Sequence, residues 1–324
     1  MSPDLRGGPR TRLGACVLAA LLLAAPGGAQ ETGARAGAPV LSMPAGSRAP
    51  ALAGAMAADH GGADALFYNP AGAAALYAAA TATYQSHVVD ITYVGGAGAY
   101  RIGGVVLGVT AAFLDFGRID VLVPDPAFGG QTGRPTGNTS AASEAAGRVV
   151  LAAPLLAGRL RVGAAGGFVT TRIAEEARST AVFDAGAQLD AGPVAVGLAL
   201  RSLGRDLQGR TLADTPLPSE ARLGVLYRWS RPDGLGAAAS ADLIRYLSAE
   251  ENAVAAGIEG GLLPSASGVG AVARIGWSGG QDDIGRLRLG AGVSVGHFAL
   301  DYTHQDFDAF GSVHRFGLRW SGPR

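Results

Sequence analysis

The side chains of this chain that could bind a metal ion are five histidines and two nearby aspartates. The histidines are scattered and have no cysteine near them in sequence, so they do not form the closely spaced ligand set of a metal centre. They are His60, His87, His297, His304 and His314. Asp306 and Asp308 in QDFDAFGS could hold a surface cation loosely, although a solvated loop is the simpler explanation. We therefore expect no metal site.

Two further patterns suggest enzymatic chemistry but do not support it. His297 and Asp301 could join a serine in a hydrolase triad, but His297 begins a strand pattern and no serine is marked as activated. The stretch GGAGAYRIGG has Arg101 where a dinucleotide-binding fingerprint requires glycine, and it lacks the strand–helix context. We expect no catalytic residues, no cofactor and no enzymatic activity.

Composition narrows the class of protein. The 324 residues carry 26 basic and 26 acidic side chains, so the net charge is zero and a basic face for nucleic acid is not expected. Hydrophobic residues make up 48% of the chain and charged residues only 16%, and glycine is unusually frequent at 51 residues. No stretch reaches about 18 consecutive apolar residues, so we expect no membrane-spanning helix.

The N-terminus has the features of an exported protein. Arg6, Arg10 and Arg12 precede the apolar stretch LGACVLAALLLAA, and small residues follow in PGGAQ. This order is typical of a secretory signal peptide, which we expect to span residues 1–29. Cys16 is the only cysteine and lies within it, so the mature chain would have no thiol and no disulfide.

Beyond residue 80 the sequence alternates between apolar residues and polar or small ones. In RLRLGAGVSV, Leu287 and Leu289 alternate with Arg286 and Arg288. The same alternation occurs in PVAVGLALR, EARLGVLYRW and HRFGLRW. Because successive side chains of a strand point to opposite faces, these segments predict strands with one apolar face and one polar or small face.

About 14 such segments predict an all-β fold, a transmembrane antiparallel β-barrel over residues 80–320 followed by a tail at 321–324. Roughly 17 residues per strand and connection suit tilted membrane strands of about 10 residues. The arginines opposite the apolar faces are expected for side chains that meet a wet lumen. A periplasmic β-sandwich is the alternative, because its strands also alternate.

The connections favour the barrel over the sandwich. If both ends of the barrel domain face the periplasm, short periplasmic turns alternate with longer extracellular loops. RIGG, DAGP, SRPDG and VGH fall at the periplasmic positions. Residues 115–142 and 203–218 are predicted to form extracellular loops, and these are the expected docking surface if the protein binds a protein partner.

Residues 30–79 lack the strand alternation and precede the first strand. In ALFYNPAGAAAL, Asn69 suits the N-cap of a short helix and Pro70 suits its first position. Glycine and alanine permit close approach of backbones, so we predict a plug- or hatch-like segment inside the barrel or under its mouth. Its motif consists of Phe67, Tyr68, Asn69, Pro70, Ala71 and Gly72. The two aromatic residues are interpreted as packing residues.

Three stretches in order resemble the PorV/PorQ family of outer-membrane proteins, which belongs with the FadL-like barrels. They are the small-residue run leading into FYNPAG, then LGVTAAFLDFGRIDV, and finally LDYTHQDFDAFGSVHRFGLRW. The resemblance covers nearly the whole mature chain. It implies an outer-membrane barrel of about 14 strands with an N-terminal inner segment.

The last strand resembles the signal that the barrel assembly machinery recognises. Apolar residues alternate along it up to an aromatic residue, although SGPR extends beyond that residue. The predicted assembly strand comprises His314, Arg315, Phe316, Gly317, Leu318 and Trp320.

Two functions follow from the resemblance. PorV-like barrels assist type IX secretion, in which the barrel binds cargo or translocon partners for the surface attachment of exported proteins. The alternative is a FadL-like passive conduit for small hydrophobic molecules, with the N-terminal segment as a hatch; a structural barrel without transport is a third possibility. The expected partners are outer-membrane lipid, the barrel assembly machinery and a secretion translocon or secreted cargo, but no nucleic acid.

Overall fold

The computed structural model describes residues 36–86, 91–124, 126, 132–209, 213–262, 268–280, 286–306 and 311–323. The predicted signal peptide at 1–29 lies outside these residues, as does the predicted turn at 87–90. No helix within the described ranges is both long enough and apolar enough to cross a membrane.

Fourteen antiparallel strands close into a barrel, which confirms the predicted fold. Each strand pairs with its neighbours in sequence, and β1 closes the cylinder against β14. The strands are β1 (Ala78–Ser86), β2 (Thr92–Ile102), β3 (Val105–Pro124), β4 (Gly133–Leu155), β5 (Leu160–Ile173), β6 (Glu176–Ala191), β7 (Val194–Gly204), β8 (Glu220–Ser230), β9 (Leu235–Tyr246), β10 (Glu251–Leu262), β11 (Val269–Gly279), β12 (Leu287–Val295), β13 (Phe298–Asp306) and β14 (Ser312–Ser321). Closure leaves no free sheet edge in the hydrocarbon, where unpaired backbone groups are costly.

The two ends of the barrel differ in their connections. We call the end where β1 begins and β14 ends the terminal end, and the opposite end the loop end. The terminal end has short turns at 103–104, 192–193, 231–234 and 296–297, as predicted. The prediction of longer connections at the loop end is wrong for β5 to β6 and β9 to β10, which are joined by residues 174–175 and 247–250.

Apolar side chains point outward and charged side chains point inward, as the alternation predicted. On β12, Leu287 and Leu289 are exposed on the outside, whereas Arg288 is buried. Leu226 of β8 is an apolar exception, because it is buried and packs against Ala58 of the N-terminal segment.

Large aromatic residues lie on the outer surface towards both ends of the barrel. They are Tyr77, Tyr100, Trp229 and Phe298 towards the terminal end, and Tyr84, Phe113, Trp277 and Phe316 towards the loop end. Such girdles flank the lipid-facing band of outer-membrane barrels, where the amphipathic rings meet the headgroups. The exterior is therefore that of a membrane-spanning barrel.

The predicted loop at 115–142 is wrong, because most of it forms a hairpin. β2 pairs with β3 no farther than Asp115, and β5 pairs with β4 no farther than Ala142. Beyond these points β3 and β4 pair only with each other, out to Pro124 and Gly133, across two register shifts. The β-branched alternation in GRIDVLVP favours a strand over a loop. We call this extension the β3–β4 hairpin.

Residues 36–77 form a segment that we call the plug, and it lies inside the barrel except for Tyr77 at its end, which is exposed on the outer surface. They contain four short 3-10 helices, at Pro39–Leu41, Ala49–Leu52, Ala63–Phe67 and Pro70–Ala75. Every residue from 45 to 59 and from 63 to 74 is buried. The second helix packs against β10–β12 and the fourth against β4–β6, so the plug bridges opposite parts of the wall.

The connection between β7 and β8 folds over the plug, unlike the free docking loop predicted at 203–218. Leu207 pairs with Thr215 through two backbone hydrogen bonds of 2.9 and 3.1 Å. Leu207 and Leu217 are buried in the cluster that contains Val40 of the plug. The amide of Gly37 donates to Pro216 at 2.8 Å. We call residues 205–209 and 213–219 the lid loop.

Candidate functional site

The FYNPAG motif forms part of the plug inside the barrel. The side chain of Asn69 accepts a hydrogen bond of 3.0 Å from the Ala71 amide, and Pro70 occupies the first turn of the following helix. That helix is 3-10 and ends at Ala75. Phe67 and Tyr68 are both buried. The structure thus brings the six predicted motif residues together, with Asn69 as the cap.

Two buried amide side chains satisfy backbone carbonyls of the plug. The amide nitrogen of Asn69 donates to the Ala57 carbonyl at 2.6 Å and to the Leu198 carbonyl of β7 at 3.2 Å. Gln188 of β6 donates to the same Ala57 oxygen at 3.0 Å and to the Asp59 carbonyl at 2.9 Å. A buried segment without long helices or strands needs such partners, because unpaired backbone groups away from water are costly.

Buried carboxylates satisfy backbone amides of the plug. Asp64, within the plug, accepts from two successive amides at 2.9 and 2.6 Å. Asp242 of β9 accepts from two further amides, both at 3.0 Å. Glu144 of β4 accepts from the amide of Val40 at 2.8 Å. Side chains of the barrel wall therefore replace the secondary structure that the plug lacks.

An ionic network fastens the plug to β10, β11 and β13. Arg48 of the plug binds Asp59 of the plug at 3.0 Å and Glu259 of β10 at 2.5 Å. Arg274 of β11 continues the network from Glu259, at 3.0 Å, to Asp301 of β13, at 2.7 Å. Buried charges are tolerated when they are paired in this way, and removing one partner is strongly destabilising.

Asp301 connects this network to the seam between β14 and β1. Arg319 of β14 binds Asp301 at 2.5 Å. The hydroxyl of Ser47 in the plug donates to Asp301 at 3.2 Å and lies 3.4 Å from the hydroxyl of Thr81 in β1. The plug and the closing strands are therefore in direct side-chain contact.

The electrostatics of the plug favour the ionised form of Asp59. Burial alone would raise its pKa, but Arg48 and Arg228 hold the pKa of Asp59 well below its ordinary range. Burial likewise opposes the charge of Arg48, and Asp59 and Glu259 outweigh it, so the pKa of Arg48 is raised. Both groups are charged at any pH at which the protein is expected to work.

His60 lies between two arginines at the terminal end of the plug. Arg161 Nη2 is 3.0 Å from His60 Nδ1, and Arg228 Nη1 is 2.7 Å from His60 Nε2. Asp190 is farther, at 3.9 Å from Nε2. Burial, followed by the charges of Arg228 and Arg161, lowers the pKa of His60 to about 4. The imidazole is therefore neutral at pH 7.

Tyr68 faces a cluster of arginines in the loop-end half of the lumen. The guanidinium groups of Arg201 and Arg222 lie 5.3 and 5.6 Å from the centre of its ring, within cation–π range. Its hydroxyl donates to the Ala45 carbonyl at 3.0 Å. Burial raises the pKa of Tyr68, and the charges of Arg201, Arg222 and Arg315 oppose this rise.

Glycine on the inner wall allows the plug backbone to touch the strands. A Cβ at Gly163 of β5 would lie 2.5 Å from the carbonyl carbon of Pro70 and 2.6 Å from the amide of Ala71. These distances are shorter than van der Waals contact, so only glycine fits without displacement of the plug.

Cavities lie on both sides of the plug. At the terminal end, one of about 460 Å³ is lined by charged residues and by Trp229, Val272 and Phe298. Another there, of about 470 Å³, is lined by His60, Tyr77, Arg101 and Arg161, among others. At the loop end, a cavity of about 70 Å³ lies between Tyr68, Ile244, Tyr246, Ala253 and three arginines. The plug lies between the loop-end cavity and the others.

The predicted assembly strand forms β14 at the seam of the barrel. Phe316 and Leu318 are exposed on the lipid side, and Trp320 is half-buried. His314 is exposed and lies 2.7 Å from the Tyr302 hydroxyl, whereas Arg315 is buried inside. Gly317 also faces inward, against Ser47 of the plug. Recognition of this strand by the assembly machinery stays a prediction.

Sequence reasoning missed the residues that hold the plug. Asp242, Glu259 and Arg274 were not singled out, although all three lie on inward strand faces. Their signal was present as charged residues opposite apolar faces, which were attributed to contact with water in the lumen. A buried charge and a solvated charge have the same strand periodicity, so the alternation alone does not separate them.

No protein-family model matches the chain, and no curated protein matches it. Solved structures do. The monoaromatic hydrocarbon channel CymD superposes with a TM-score of 0.59 at 12% identity, over 86% of this chain and 98% of CymD. The toluene transporter TbuX of Ralstonia pickettii gives 0.58 at 13% identity, over 86% and 98%. The toluene transporter TodX of P. putida gives 0.56 at 11% identity, over the same shares.

At these low identities the similarity establishes the fold alone. Its coverage includes the barrel and is consistent with the closed order of 14 strands described above. Together with the lipid-facing exterior, the fold places the chain in the outer membrane. The protein is an outer-membrane β-barrel whose fold is similar to that of these hydrocarbon and toluene channels.

Proposed function

We propose that the protein is a passive conduit for small apolar molecules across the outer membrane, closed at rest by its plug. The observation that carries the proposal is a self-filled lumen with cavities on both sides, in a fold shared with proteins described as hydrocarbon channels. Transport then requires the plug to move or to loosen.

The linings of the cavities support an apolar and compact substrate. Ile244 and Ala253 contribute apolar surface at the loop end, and Val272 contributes it at the terminal end. The terminal-end cavity also contains the ion-paired Glu259 and Arg274, which an apolar molecule does not need to displace. Pockets that are mostly apolar with a few polar groups are typical of small-molecule sites.

Uptake of radiolabelled toluene by a Gram-negative host that expresses the protein tests this proposal. A Ser47→Cys/Thr81→Cys variant supplies the key comparison, because the two hydroxyls are 3.4 Å apart and a disulfide needs only a small shift. The expected mature chain has no other cysteine, so the engineered pair reacts alone.

We expect expression to raise uptake above that of the empty vector, oxidation of the double variant to remove the gain, and reduction to restore it. The two single-cysteine variants serve as controls and should respond to neither treatment. Equal uptake with and without the protein would refute the conduit. Undiminished uptake with the disulfide verified would refute movement of the plug against β1.

Assistance in protein secretion, which the PorV/PorQ resemblance implied, is the second candidate. The observation that favours it is the β3–β4 hairpin, which extends beyond its neighbours and exposes Val121, Leu122 and Val123. The hydrocarbon-channel similarities favour the conduit over this role.

Replacing residues 118–141 by a tight turn separates the two candidates. A secretion role requires the shortened protein to lose partners that the full protein captures from native membranes, whereas a conduit retains its toluene uptake. Loss of uptake with unchanged partner capture would exclude the hairpin as the docking surface.

A further inference from the structure

The loop-end half of the lumen contains more buried arginines than carboxylates. The arginines are Arg148, Arg201, Arg222, Arg288 and Arg315, and all are buried. Asp184 pairs with Arg148 at 3.0 Å, and Glu220 pairs with both Arg201 and Arg222, the latter at 2.7 Å. Asp242 lies 3.7 Å from Arg222. These three carboxylates serve three of the five arginines. Arg178 and Glu144 are also buried at this end, so six arginines face four carboxylates among the described residues.

Arg288 and Arg315 have no carboxylate within 4.0 Å in the part of the chain that the structure describes. Arg315 donates to the side-chain oxygen of Gln85. Arg288 Nε donates to the side-chain oxygen of Gln305 at 3.0 Å when the Gln305 amide is oriented with its oxygen towards the guanidinium. Neutral amides offset none of the charge, and an arginine does not deprotonate in a protein. Two buried charges thus lack a counter-charge, which is costly.

Unused hydrogen-bonding groups surround these arginines. Arg315 Nε, Gln85 Nε2 and the hydroxyls of Tyr93 and Thr303 are buried without a hydrogen-bond partner. Their residues form one row on β2, β1, β14 and β13, since each is the register partner of the next. Arg288 adjoins the row, because its register partner Gln305 is two residues beyond Thr303. All four groups can donate, so the row suits a ligand with several acceptor atoms.

Arg288, unlike the four residues of the row, also lines a cavity of about 70 Å³. Arg288, Arg201 and Arg222 line it together with Tyr68 and Tyr246. Arg201 Nε, which is also buried, has no hydrogen-bond partner. The volume is about that of two water molecules in the liquid, so it admits a compact anion and excludes one with a long chain. Guanidinium groups bind oxyanions through paired N–H donors.

We propose that this cavity binds one compact oxyanion, of the size of phosphate, sulfate or acetate, through Arg288, with Arg201 and Arg222 as further donors in its lining. The anion supplies the charge that the wall lacks and accepts a hydrogen bond from the unused Arg201 Nε. The site lies in the loop-end cavity of the proposed conduit, with Tyr68 of the plug in its lining, and phosphate binding is measured separately from toluene uptake.

Equilibrium dialysis with radiolabelled inorganic phosphate tests the site. The mature protein is refolded in zwitterionic detergent in a chloride-free buffer, and folding is checked by heat-modifiable migration. We expect one saturable phosphate per chain, displaced by sulfate or acetate, and their relative potencies identify the preferred oxyanion.

Arg288→Gln is expected to weaken phosphate binding at least tenfold, and Arg315→Gln, which removes the other uncompensated charge, is expected to weaken it less. The control is Arg231→Gln, which removes an exposed arginine that pairs with Asp233 in a terminal-end turn. It should leave phosphate binding unchanged. If Arg315→Gln does not fold, Arg288→Gln decides the result. Absence of saturable binding to the wild-type protein, or equal affinity of a folded Arg288→Gln variant, would overturn the proposal.

Discussion

Single charged residues determine how the plug is held inside the barrel. Arg48 of the plug binds Glu259 of the wall, and Asp242 of the wall binds backbone amides of the plug. Each bond joins two parts of the chain far apart in sequence, such as 211 residues for Arg48 and Glu259. Truncation of one partner removes a buried charged contact between plug and wall, so these contacts fix one position of the plug.

His60 gives the plug a dependence on pH. Its pKa is about 4 in the folded protein, below the ordinary value near 6.5. Between these values the unfolded chain binds more protons than the folded chain, so stability falls as the pH is lowered from about 6.5 to 4. The loss amounts to about 3 kcal/mol, and little further loss arises from His60 below pH 4.

The measurement is the thermal unfolding midpoint of the refolded protein between pH 7 and pH 4.5, compared with that of His60→Gln. We expect the wild-type midpoint to fall relative to that of the variant across this range. Asp59 does not interfere, because its lowered pKa places its own loss of stability below pH 4. Parallel curves for the two proteins would contradict the assigned environment of His60.

At the scale of elements, the glycines of the inner wall set the distance between strand and plug. Gly163→Ala places a Cβ 2.5 Å from the Pro70 carbonyl carbon, so the last 3-10 helix of the plug has to shift. We expect a loss of about 1–3 kcal/mol, as for overpacking in a core. The readout is the temperature at which heat-modifiable migration is lost.

Gly104→Ala is the matched control for that substitution. Gly104 lies in the turn between β2 and β3, and a Cβ there meets no atom within 4 Å. Its transition temperature should equal that of the wild-type protein. A Gly163→Ala variant with an unchanged transition temperature would show that the plug does not press against β5.

The strands were predictable because membrane and lumen impose opposite chemistry on alternate residues. In β12, for example, Leu289 faces the membrane and the adjacent Arg288 faces inward, and other strands show the same alternation. The β3–β4 hairpin was missed because the glycine, proline, aspartate and threonine residues of 115–142 favoured a loop, which outweighed the short β-branched alternation in GRIDVLVP. The partners of the plug were missed because they depend on which strands face each other across the lumen, and strand alternation does not contain that information.

At the scale of the whole molecule, the barrel and the plug satisfy each other's polar groups. The wall contributes carboxylate and amide side chains to the plug backbone, which has only short 3-10 helices. The plug in turn covers the inward-facing charges of the wall and keeps water away from them. The lid loop covers the loop-end side, where Leu207 and Leu217 pack against the start of the plug. The barrel is therefore filled along its axis, and the proposed conduit would open only if several of these contacts broke together.

Conductance across a planar lipid bilayer tests this closure most directly. The comparison is between the mature protein and a variant that lacks residues 36–77, each shown by heat-modifiable migration to have formed a barrel. A lumen filled by its own plug predicts almost no steady current from the intact protein and a stable open-channel current from the shortened one. Equal currents from the two folded proteins would contradict the account.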